Sequence, residues 1–299
     1  MPPVSAPRRQ WEPPARSAVQ ERFYRELMVL DRLPSAPEIA QRMLVAINRD
    51  DSSVDHVATL IERDPALTAR LLRLANSAFF ASRARVGSIP QAVVVLGFPR
   101  VRDLALGLSV WSSFDGKDPA GRRYRKKLWM HSAMVAAAAQ MLSQRTRGDG
   151  GLAFAAGLLH DVGKLVLGLR LGGSYWSLLD EAAERGDGAA ALESEAFGCH
   201  HATIGGWLLQ LWGLPAEIVE AVALHHDPLR AEFGMDASSA VGVANRLIDA
   251  TDPESGAVRQ DILSEVGEFL PGLFDPETWR DVYGSIAREQ QSVANLFAA

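Results

Sequence analysis

Histidine and aspartate side chains that could bind a metal ion are concentrated in the second half of the chain. Six of the seven histidines lie between residues 131 and 226: His131, His160, His200, His201, His225 and His226. His160 is followed directly by Asp161 inside the apolar stretch 157–165, GLLHDVGKL. A buried imidazole beside a buried carboxylate is costly unless something pairs with both groups. Because neutral imidazole and carboxylate suit divalent transition metals, the pattern indicates a site for iron, manganese, cobalt or zinc.

The sequence leaves two interpretations of the His160–Asp161 pair open. Adjacent residues on a helix point about 100° apart, so the two side chains could face different sides of one metal centre. An aspartate can also bridge two ions, as two-metal hydrolases require, and Lys164 could then reach a phosphate oxygen. Alternatively, the same side chains hydrogen-bond to one another in a core that holds no ion.

Other catalytic chemistries receive no support from the sequence. The single cysteine, Cys199, stands beside His200 but outside any recognisable acyl-transfer motif, so we expect a small buried thiol. One cysteine excludes an internal disulfide and is consistent with a reducing cytoplasm. No phosphate-cradling glycine loop and no dinucleotide fingerprint occurs.

Charge and hydropathy argue against nucleic acid and membrane as partners. The net charge of -5 gives no overall basic bias. The basic run GRRYRKK at 121–127 is expected to be a solvated surface in a turn-rich region. The N-terminus lacks the apolar core of a signal peptide, and no charge-free apolar run is long enough to cross a membrane. The chain is therefore predicted to be cytoplasmic.

Apolar residues recur every three or four positions, which predicts helices throughout the chain. Two such series are Ile39, Met43, Ile47 and Leu67, Leu71, Leu74. Asp64 followed by Pro65 is typical of a helix start. Because no alternation of period two is sustained, the predicted fold class is all-α, and 299 residues that are 47% hydrophobic allow a substantial core.

Glycine, proline and charged residues cluster at 114–123, which predicts a division of the chain there. Four segments follow: 1–20 as a disordered lead-in, 21–116 as an N-terminal helical half, 117–250 as a histidine-bearing helical half and 251–299 as a C-terminal helical extension. The stretch 145–151 is predicted to be a loop between two helices.

Several stretches resemble a known protein family. HDVGK at 160–164 resembles the central motif of the HD superfamily of metal-dependent phosphohydrolases, and 200–228 resembles the next segment of its HD-GYP branch. The stretches LPSAPEIAQRML, IERDPALTARLLRLANSAFF and SIPQAVVVLGFPRVRDLAL resemble the front half of the HD-related output domain, HDOD. This resemblance implies a bacterial regulatory module in which an N-terminal helical bundle packs on an HD-superfamily helical domain.

The resemblance also implies a set of metal ligands drawn from several helices. These are His131, His160, Asp161, His201, His225, His226 and Asn245. Lys164 matches the lysine that faces phosphate in active relatives. His201 rather than His200 matches the family's ligand, because it has the right spacing to Gly205.

The sequence departs from the active HD-GYP pattern at three places. Lys127 stands four residues before His131, where HD-GYP members place a glutamate. Asn245 stands where active members carry the last aspartate, and Asp249, one turn on, has the wrong spacing to match it. The Gly-Tyr-Pro stretch after the paired histidines is missing. The predicted site is therefore partial.

Two functions are compatible with these residues. The first is a signalling module without catalysis, which acts through signalling-protein partners or a bound ligand such as a nucleotide. The alternative is a metal-dependent phosphohydrolase that acts on a nucleotide or cyclic dinucleotide. In that alternative Asp161 bridges or orients the metal, and Lys164 holds the phosphate.

Overall fold

The structure is a computed structural model that describes nine ranges of the chain. These are residues 17–27, 37–47, 54–76, 85–114, 119–146, 148–185, 188–227, 236–269 and 276–294. Within them the protein is built from α-helices, and the only β-type pairing is an isolated bridge between Thr251 and Val258. The predicted all-α class is therefore confirmed.

The first six helices of the described residues are called the front helices here. They are α1 (Ala18–Leu27), α2 (Glu38–Ile47), α3 (Val54–Glu62), α4 (Pro65–Ala75), α5 (Ile89–Leu96) and α6 (Phe98–Ser112). Helix α6 is the central element, because most of its side chains are buried and helices α2 to α5 all contact it. Helix α1 lies apart from them against α11, where the rings of Phe23 and Phe197 stack at 5.0 Å.

Ten further helices follow in the described residues. They are α7 (Pro119–Arg145), α8 (Gly150–Leu159), α9 (Val162–Leu171), α10 (Gly173–Arg185), α11 (Ala189–Phe197), α12 (His201–Leu211), α13 (Ala216–Leu224), α14 (Ala237–Ala250), α15 (Gln260–Phe269) and α16 (Pro276–Ala294). Helices α7 and α8 pack along one another, and α14 lies against both. A break between two helices falls within the predicted stretch 145–151, but it is shorter than predicted, since α7 ends at Arg145 and α8 begins at Gly150.

The start of α4 shows how local sequence sets an element. The side chain of Asp64 accepts hydrogen bonds from the backbone N–H groups of Ala66 at 2.9 Å and Leu67 at 3.0 Å. Pro65 occupies the first helical position, where a missing N–H costs nothing. The apolar residues Leu71 and Leu74 then fall on the inner face and are almost completely buried, as their spacing predicts.

One hydrophobic core joins the front helices to the histidine-bearing helices. It extends from Met43 on α2 to Val222 on α13. At the junction the indole N–H of Trp111 on α6 donates to the backbone carbonyl of Leu158 on α8 at 2.6 Å. Gly107 lies so close to Leu158 that an added Cβ would be 2.9 Å from its Cδ2 atom. The two halves are therefore packed together through α6 and α8.

The C-terminal helix α16 packs back on this body, against α7. Its Trp279 is buried, and the indole N–H donates to the Thr251 hydroxyl at 3.1 Å. Together with α14 and the alanine-rich part of α7, α16 forms a second buried cluster. The described part of the C-terminal extension thus contributes to the same molecule's core.

The basic run at 121–127 is not in a turn-rich region, so that part of the prediction is wrong. It lies within α7, which begins at Pro119 and continues for 27 residues. Proline at the first helical position starts a helix as readily as it interrupts one, which explains the error. The expected solvated surface is present, since Arg122, Arg123, Lys126 and Lys127 are exposed.

Helices α8 and α9 together form the 22-residue stretch Gly150–Leu171, which is long and apolar enough to cross a membrane by length and composition. However, 83% of its most apolar window is buried inside the protein. It also carries Asp161 and Lys164 at its centre. The stretch therefore has the character of a core helix pair.

Candidate metal centre

The predicted ligands come from five parts of the fold that meet around Asp161. His131 lies in the middle of α7, and Asn245 lies in α14. His160 and Asp161 form the junction between α8 and α9, His201 is the first residue of α12, and His225 with His226 follows α13. Four nitrogen atoms of the set lie within 4 Å of the Asp161 carboxylate: His201 Nε2 at 3.1 Å, His160 Nε2 at 3.5 Å, His131 Nε2 at 3.8 Å and His225 Nε2 at 3.9 Å. The structure thus brings together residues that lie up to 114 positions apart in the sequence, from His131 to Asn245.

Helix α9 can approach α12 closely because glycine occupies the contact on both sides. A Cβ atom on Gly205 would be 2.9 Å from Val222 Cγ1 and 3.3 Å from the backbone nitrogen of Gly163. The same approach places Asp161, just before α9, beside His201 at the start of α12. The glycine of the HDVGK motif is therefore part of what builds the site.

Two of the histidines use Nδ1 for hydrogen bonds to backbone carbonyls, which leaves Nε2 facing the centre. His160 Nδ1 donates to the backbone carbonyl of Gly157 at 2.7 Å, and His225 Nδ1 donates to that of Val222 at 2.8 Å. A carbonyl oxygen only accepts, so Nδ1 carries the proton and neutral Nε2 keeps its lone pair. Within the described residues neither of these two buried Nε2 atoms has a hydrogen-bond partner.

Burial keeps most of these rings neutral. It lowers the pKa of His160 to about 3 and the pKa of His225 well below its ordinary value, and in both cases neighbouring histidines add to the effect. The pKa of His226 is lowered too, by loss of solvent and by the neighbouring His201. A neutral imidazole is the form that ligates metal, so these rings need not lose a proton on binding at neutral pH.

The outer part of the centre consists of His201 and His226. Their Nε2 atoms are 2.9 Å apart, and His226 is exposed at the rim while His201 is fully buried. Burial opposes a charge on His201, but Glu193 and Asp161 raise its pKa. A cation placed between these histidine nitrogens and the Asp161 carboxylate would interact with all of them. It would supply the partner that buried polar atoms without a hydrogen bond need.

Two groups of ligand atoms are close enough together to surround an ion. The first is His201, His225 and His226, and the second is His131, His160 and Asp161; in each group the atoms lie within 4.8 Å of one another. Asp161 links the groups, because its Oδ1 is 3.1 Å from His201 Nε2 and its Oδ2 is 3.5 Å from His160 Nε2. The donor set of imidazoles and one carboxylate fits a transition metal.

The His131 corner is organised differently. His131 Nε2 is hydrogen-bonded with Asn245 Oδ1 at 2.9 Å, and His131 Nδ1 is 3.6 Å from Asp249 Oδ1. An amide brings no negative charge to this corner, and it engages the imidazole nitrogen that points inward. Lys127, one turn before His131 on α7, is exposed and adds no anionic ligand. The centre therefore lacks carboxylates where the active pattern implies them.

Lys164 lies inside the centre rather than in front of it. Its ammonium donates to Asp161 Oδ2 at 2.8 Å, and its side chain is 16% exposed. Burial opposes the charge of Lys164, but the neighbouring Asp161 raises its pKa. Burial also works against the charge of Asp161, but His160 and Lys164 lower its pKa well below the ordinary range. The pair therefore stays charged, with one carboxylate oxygen committed to the lysine.

Sequence reasoning missed Glu193 and Tyr175. Glu193 on α11 is fully buried, and its Oε2 accepts hydrogen bonds from both Nδ1 and the backbone N–H of His201, each at 2.6 Å. Its Oε1 accepts from the hydroxyl of Tyr175 at 2.6 Å. The only available signal was a glutamate eight residues before a candidate ligand, which is a spacing shared by many surface residues.

The remaining candidates lie outside the two ligand groups. His200 packs its ring 5.6 Å from that of His226 but belongs to neither group. Cys199 is buried, as predicted, and burial raises the pKa of its thiol to about 12, so it is not a reactive thiolate. His56 is exposed on α3, far along the chain from the site.

Comparison with known proteins identifies relatives of the whole arrangement. The HDOD domain model matches residues 33–228, well over half of the chain. An uncharacterized protein of Treponema pallidum (strain Nichols) is 29% identical over 234 residues, which cover 76% of this chain and 45% of that protein. The chain spans less than half the length of the curated relatives it matches.

Two solved structures are similar over nearly the whole chain. A protein of Shewanella amazonensis SB2B, provisionally named a phosphohydrolase, has a TM-score of 0.70 and 25% identity and covers 94% of this chain and 98% of its own. An HDOD domain protein with unknown function from Geobacter sulfurreducens has a TM-score of 0.67 and 26% identity and covers 94% and 96%. The front helices and the histidine-bearing helices are thus shared as one arrangement.

Proposed function

The chain belongs to the HDOD domain family, and on that premise we propose that it is a regulatory signalling module whose HD half holds one divalent transition-metal ion and does not hydrolyse phosphate esters. The observation that carries this proposal is the hydrogen bond between His131 and Asn245 at 2.9 Å. This bond engages the nitrogen of His131 that faces the centre. At position 245 the resemblance implies an aspartate, which would be an anionic ligand.

The expected ion would be held by His201, His225 and His226 together with Asp161. The ligand atoms of the three histidines lie within 4.8 Å of one another, and Asp161 Oδ1 is 3.1 Å from His201 Nε2 and 3.9 Å from His225 Nε2. Two of these inward-facing atoms, His225 Nε2 and Asp161 Oδ1, are buried without a satisfying hydrogen bond among the described residues. When bound, such an ion supplies a Lewis-acidic positive charge. Iron, manganese, cobalt and zinc all suit these donors.

Two-metal hydrolysis requires more negative charge than these residues provide. Two ions side by side must be held by ligands that offset their mutual repulsion, and Asp161 is the one carboxylate in the two groups, where it belongs to the group of His131 and His160. One of its oxygens is already paired with Lys164 at 2.8 Å. A single ion near His201 fits the available charge better than a pair.

The output of the module would be protein binding. The two halves meet through α6 and α8, so a protein partner or a small ligand with different affinity for two arrangements of these helices would shift their packing. An ion that ties α9, α12 and α13 together would favour one of those arrangements. We further propose a cytoplasmic location in a bacterium, where the buried Cys199 stays reduced.

The experiment is an activity screen on protein loaded with manganese, iron, cobalt or zinc. Cyclic di-GMP and simple phosphodiesters are the substrates, and a His160→Ala, Asp161→Ala double variant is the control. We expect no hydrolysis above that of the double variant while the wild-type protein retains metal. Metal-dependent turnover that the double variant lacks would overturn the proposal.

Such turnover would establish the second candidate function, a metal-dependent phosphohydrolase for a nucleotide or cyclic dinucleotide. Its support is the convergence of four histidines on Asp161 with Lys164 adjacent. The Shewanella amazonensis protein of similar structure is also provisionally named a phosphohydrolase. In this case Asp161 would orient the metal, and Lys164 would leave Asp161 to hold the phosphate.

A further inference from the structure

We infer that Glu193 is a positioning residue for His201: it holds the ring so that Nε2 faces the metal centre, and Tyr175 in turn holds Glu193. The role depends on the metal centre of the proposed function, and it concerns two residues that lie outside the ligand set. Glu193 is on α11 and Tyr175 is on α10, so the arrangement extends the centre to two further helices.

The carboxylate of Glu193 fixes His201 at two points. Oε2 accepts from Nδ1 of the ring and from the backbone N–H of the same residue, each at 2.6 Å. One oxygen that binds both groups defines the ring's rotation relative to its own backbone. With Nδ1 facing the carboxylate, Nε2 is directed towards Asp161 Oδ1 at 3.1 Å and His226 Nε2 at 2.9 Å.

Tyr175 orients the second oxygen. Its hydroxyl donates to Glu193 Oε1 at 2.6 Å, and both side chains are completely buried. Burial of a carboxylate is costly unless it is paired and hydrogen-bonded. Tyr175 and His201 supply three hydrogen bonds to Glu193, so its two oxygens have defined directions.

His201 differs in this respect from the other inner ligands. His160 and His225 place Nδ1 against neutral backbone carbonyls of their own helical turns, Gly157 and Val222. His201 starts α12, and its Nδ1 therefore has no preceding helical turn to use. A carboxylate behind a ligating imidazole fixes its tautomer and raises its basicity. Glu193 thus takes the place of the missing carbonyl and makes His201 the most strongly donating imidazole of the set.

The test compares Glu193→Gln with Glu195→Gln, a control on the same helix whose side chain is exposed. Zn²⁺ affinity is measured by chelator competition, and the Co²⁺-loaded protein is examined by visible absorption. We expect Glu193→Gln to bind Zn²⁺ about 10- to 100-fold more weakly and to alter the Co²⁺ spectrum. Tyr175→Phe should weaken binding in the same direction by less, and Glu195→Gln should match the wild type.

A second readout is independent of metal. In the metal-free protein, ¹H–¹⁵N spectra of the histidine rings report which nitrogen of His201 carries a proton. We expect protonated, hydrogen-bonded Nδ1 in the wild type and a shifted resonance in Glu193→Gln. If the wild type binds no metal, the proposed function fails, and this spectrum alone decides the role of Glu193.

Two results would overturn the inference. One is wild-type Zn²⁺ affinity and an unchanged Co²⁺ spectrum in Glu193→Gln, with only a lower melting temperature, since that outcome describes a structural residue. The other is a His201 ring protonated on Nε2 alone. Either result can be obtained whether or not the protein hydrolyses phosphate esters.

Discussion

The backbone of Gly163 lies against the backbone of His201: a Cβ atom added to Gly163 would be 1.9 Å from the carbonyl oxygen of His201 and 2.7 Å from its carbonyl carbon. Both atoms belong to the backbone and cannot turn aside. The glycine two residues after Asp161 therefore sets the distance between the first turn of α9 and the first turn of α12. That distance determines whether Asp161 and His201 can share an ion.

We predict that Gly163→Ala separates these helices and weakens metal binding together with stability. Overpacking of this kind costs roughly 1 to 3 kcal/mol of unfolding free energy, and more where backbone must move. Gly267→Ala is the control, because nothing lies within 4 Å of its added Cβ within α15. That variant should be neutral or more stable by up to about 1 kcal/mol. Chemical denaturation and Zn²⁺ titration measure both effects, and a Gly163→Ala variant that binds like the wild type would contradict this view of the site.

A carboxylate at position 245 should complete the His131 corner. In Asn245→Asp the new anionic oxygen would lie where the amide oxygen now meets His131 Nε2 at 2.9 Å. We expect elemental analysis to find more metal per chain than in the wild type, with an upper limit of two ions. Glu254→Gln, at an exposed position beyond the end of α14, should leave the metal content unchanged. No increase in Asn245→Asp would mean that the amide is not what limits the second group.

Two residues of helix α4 should contribute measurably to the stability of the protein, one through burial and one through its helix cap. Leu71 is completely buried, so Leu71→Ala should lower the free energy of unfolding by roughly 2 to 5 kcal/mol. Asp64→Ala removes the cap of α4 and should cost about 1 kcal/mol. Arg73→Ala, on the exposed face of the same helix, should stay within about 0.5 kcal/mol of the wild type. Thermal or urea unfolding measures all three, and a neutral Leu71→Ala would show that α4 does not pack through this face.

Because of Asp103, the free energy of unfolding should fall as the pH rises above the ordinary pKa of an aspartate. It is completely buried, and burial raises its pKa although Arg102 pairs with it at 2.7 Å. The folded protein therefore keeps a proton on this carboxyl after the unfolded chain has released it. Its contribution to the free energy of unfolding is present below the ordinary pKa and is lost as the pH rises through the raised value.

The check is urea unfolding at several pH values from about 4 to 7, a range that starts near the ordinary aspartate pKa. Asp103→Asn should lack this component of the pH dependence, whereas Asp55→Asn, at an exposed position, should retain it. Equal pH profiles for Asp103→Asn and the wild type would show that Asp103 does not titrate differently in the two states.

The sequence was sufficient to predict the all-α fold class, and its resemblance to a known family predicted that the candidate ligands converge. The three-to-four spacing of Leu67, Leu71 and Leu74 identified a buried helix face, which the structure confirms. The HDVGK motif located Asp161 at the centre because its resemblance carries a three-dimensional arrangement with it. The first result required no knowledge of long-range contacts, whereas the second took them from the resemblance.

The supporting residues could not be predicted, for physical reasons. Glu193 sits on a helix with no strong apolar face, and its partner Tyr175 lies 18 residues earlier, across a helix–helix contact. The Asn245–His131 hydrogen bond spans 114 residues and depends on how α14 packs on α7. Such relationships arise from tertiary packing, to which local periodicity is insensitive. The proline that starts α7 was misjudged because the same residue type favours both turns and helix starts.

The metal content of the purified protein tests the central claim most directly. The full chain, purified without chelator, is measured by elemental analysis beside a His201→Ala, His226→Ala double variant. The account predicts close to one transition-metal ion per wild-type chain and a large loss in the double variant. Much less than one ion per wild-type chain, unchanged after incubation with Zn²⁺ or Mn²⁺, would contradict it.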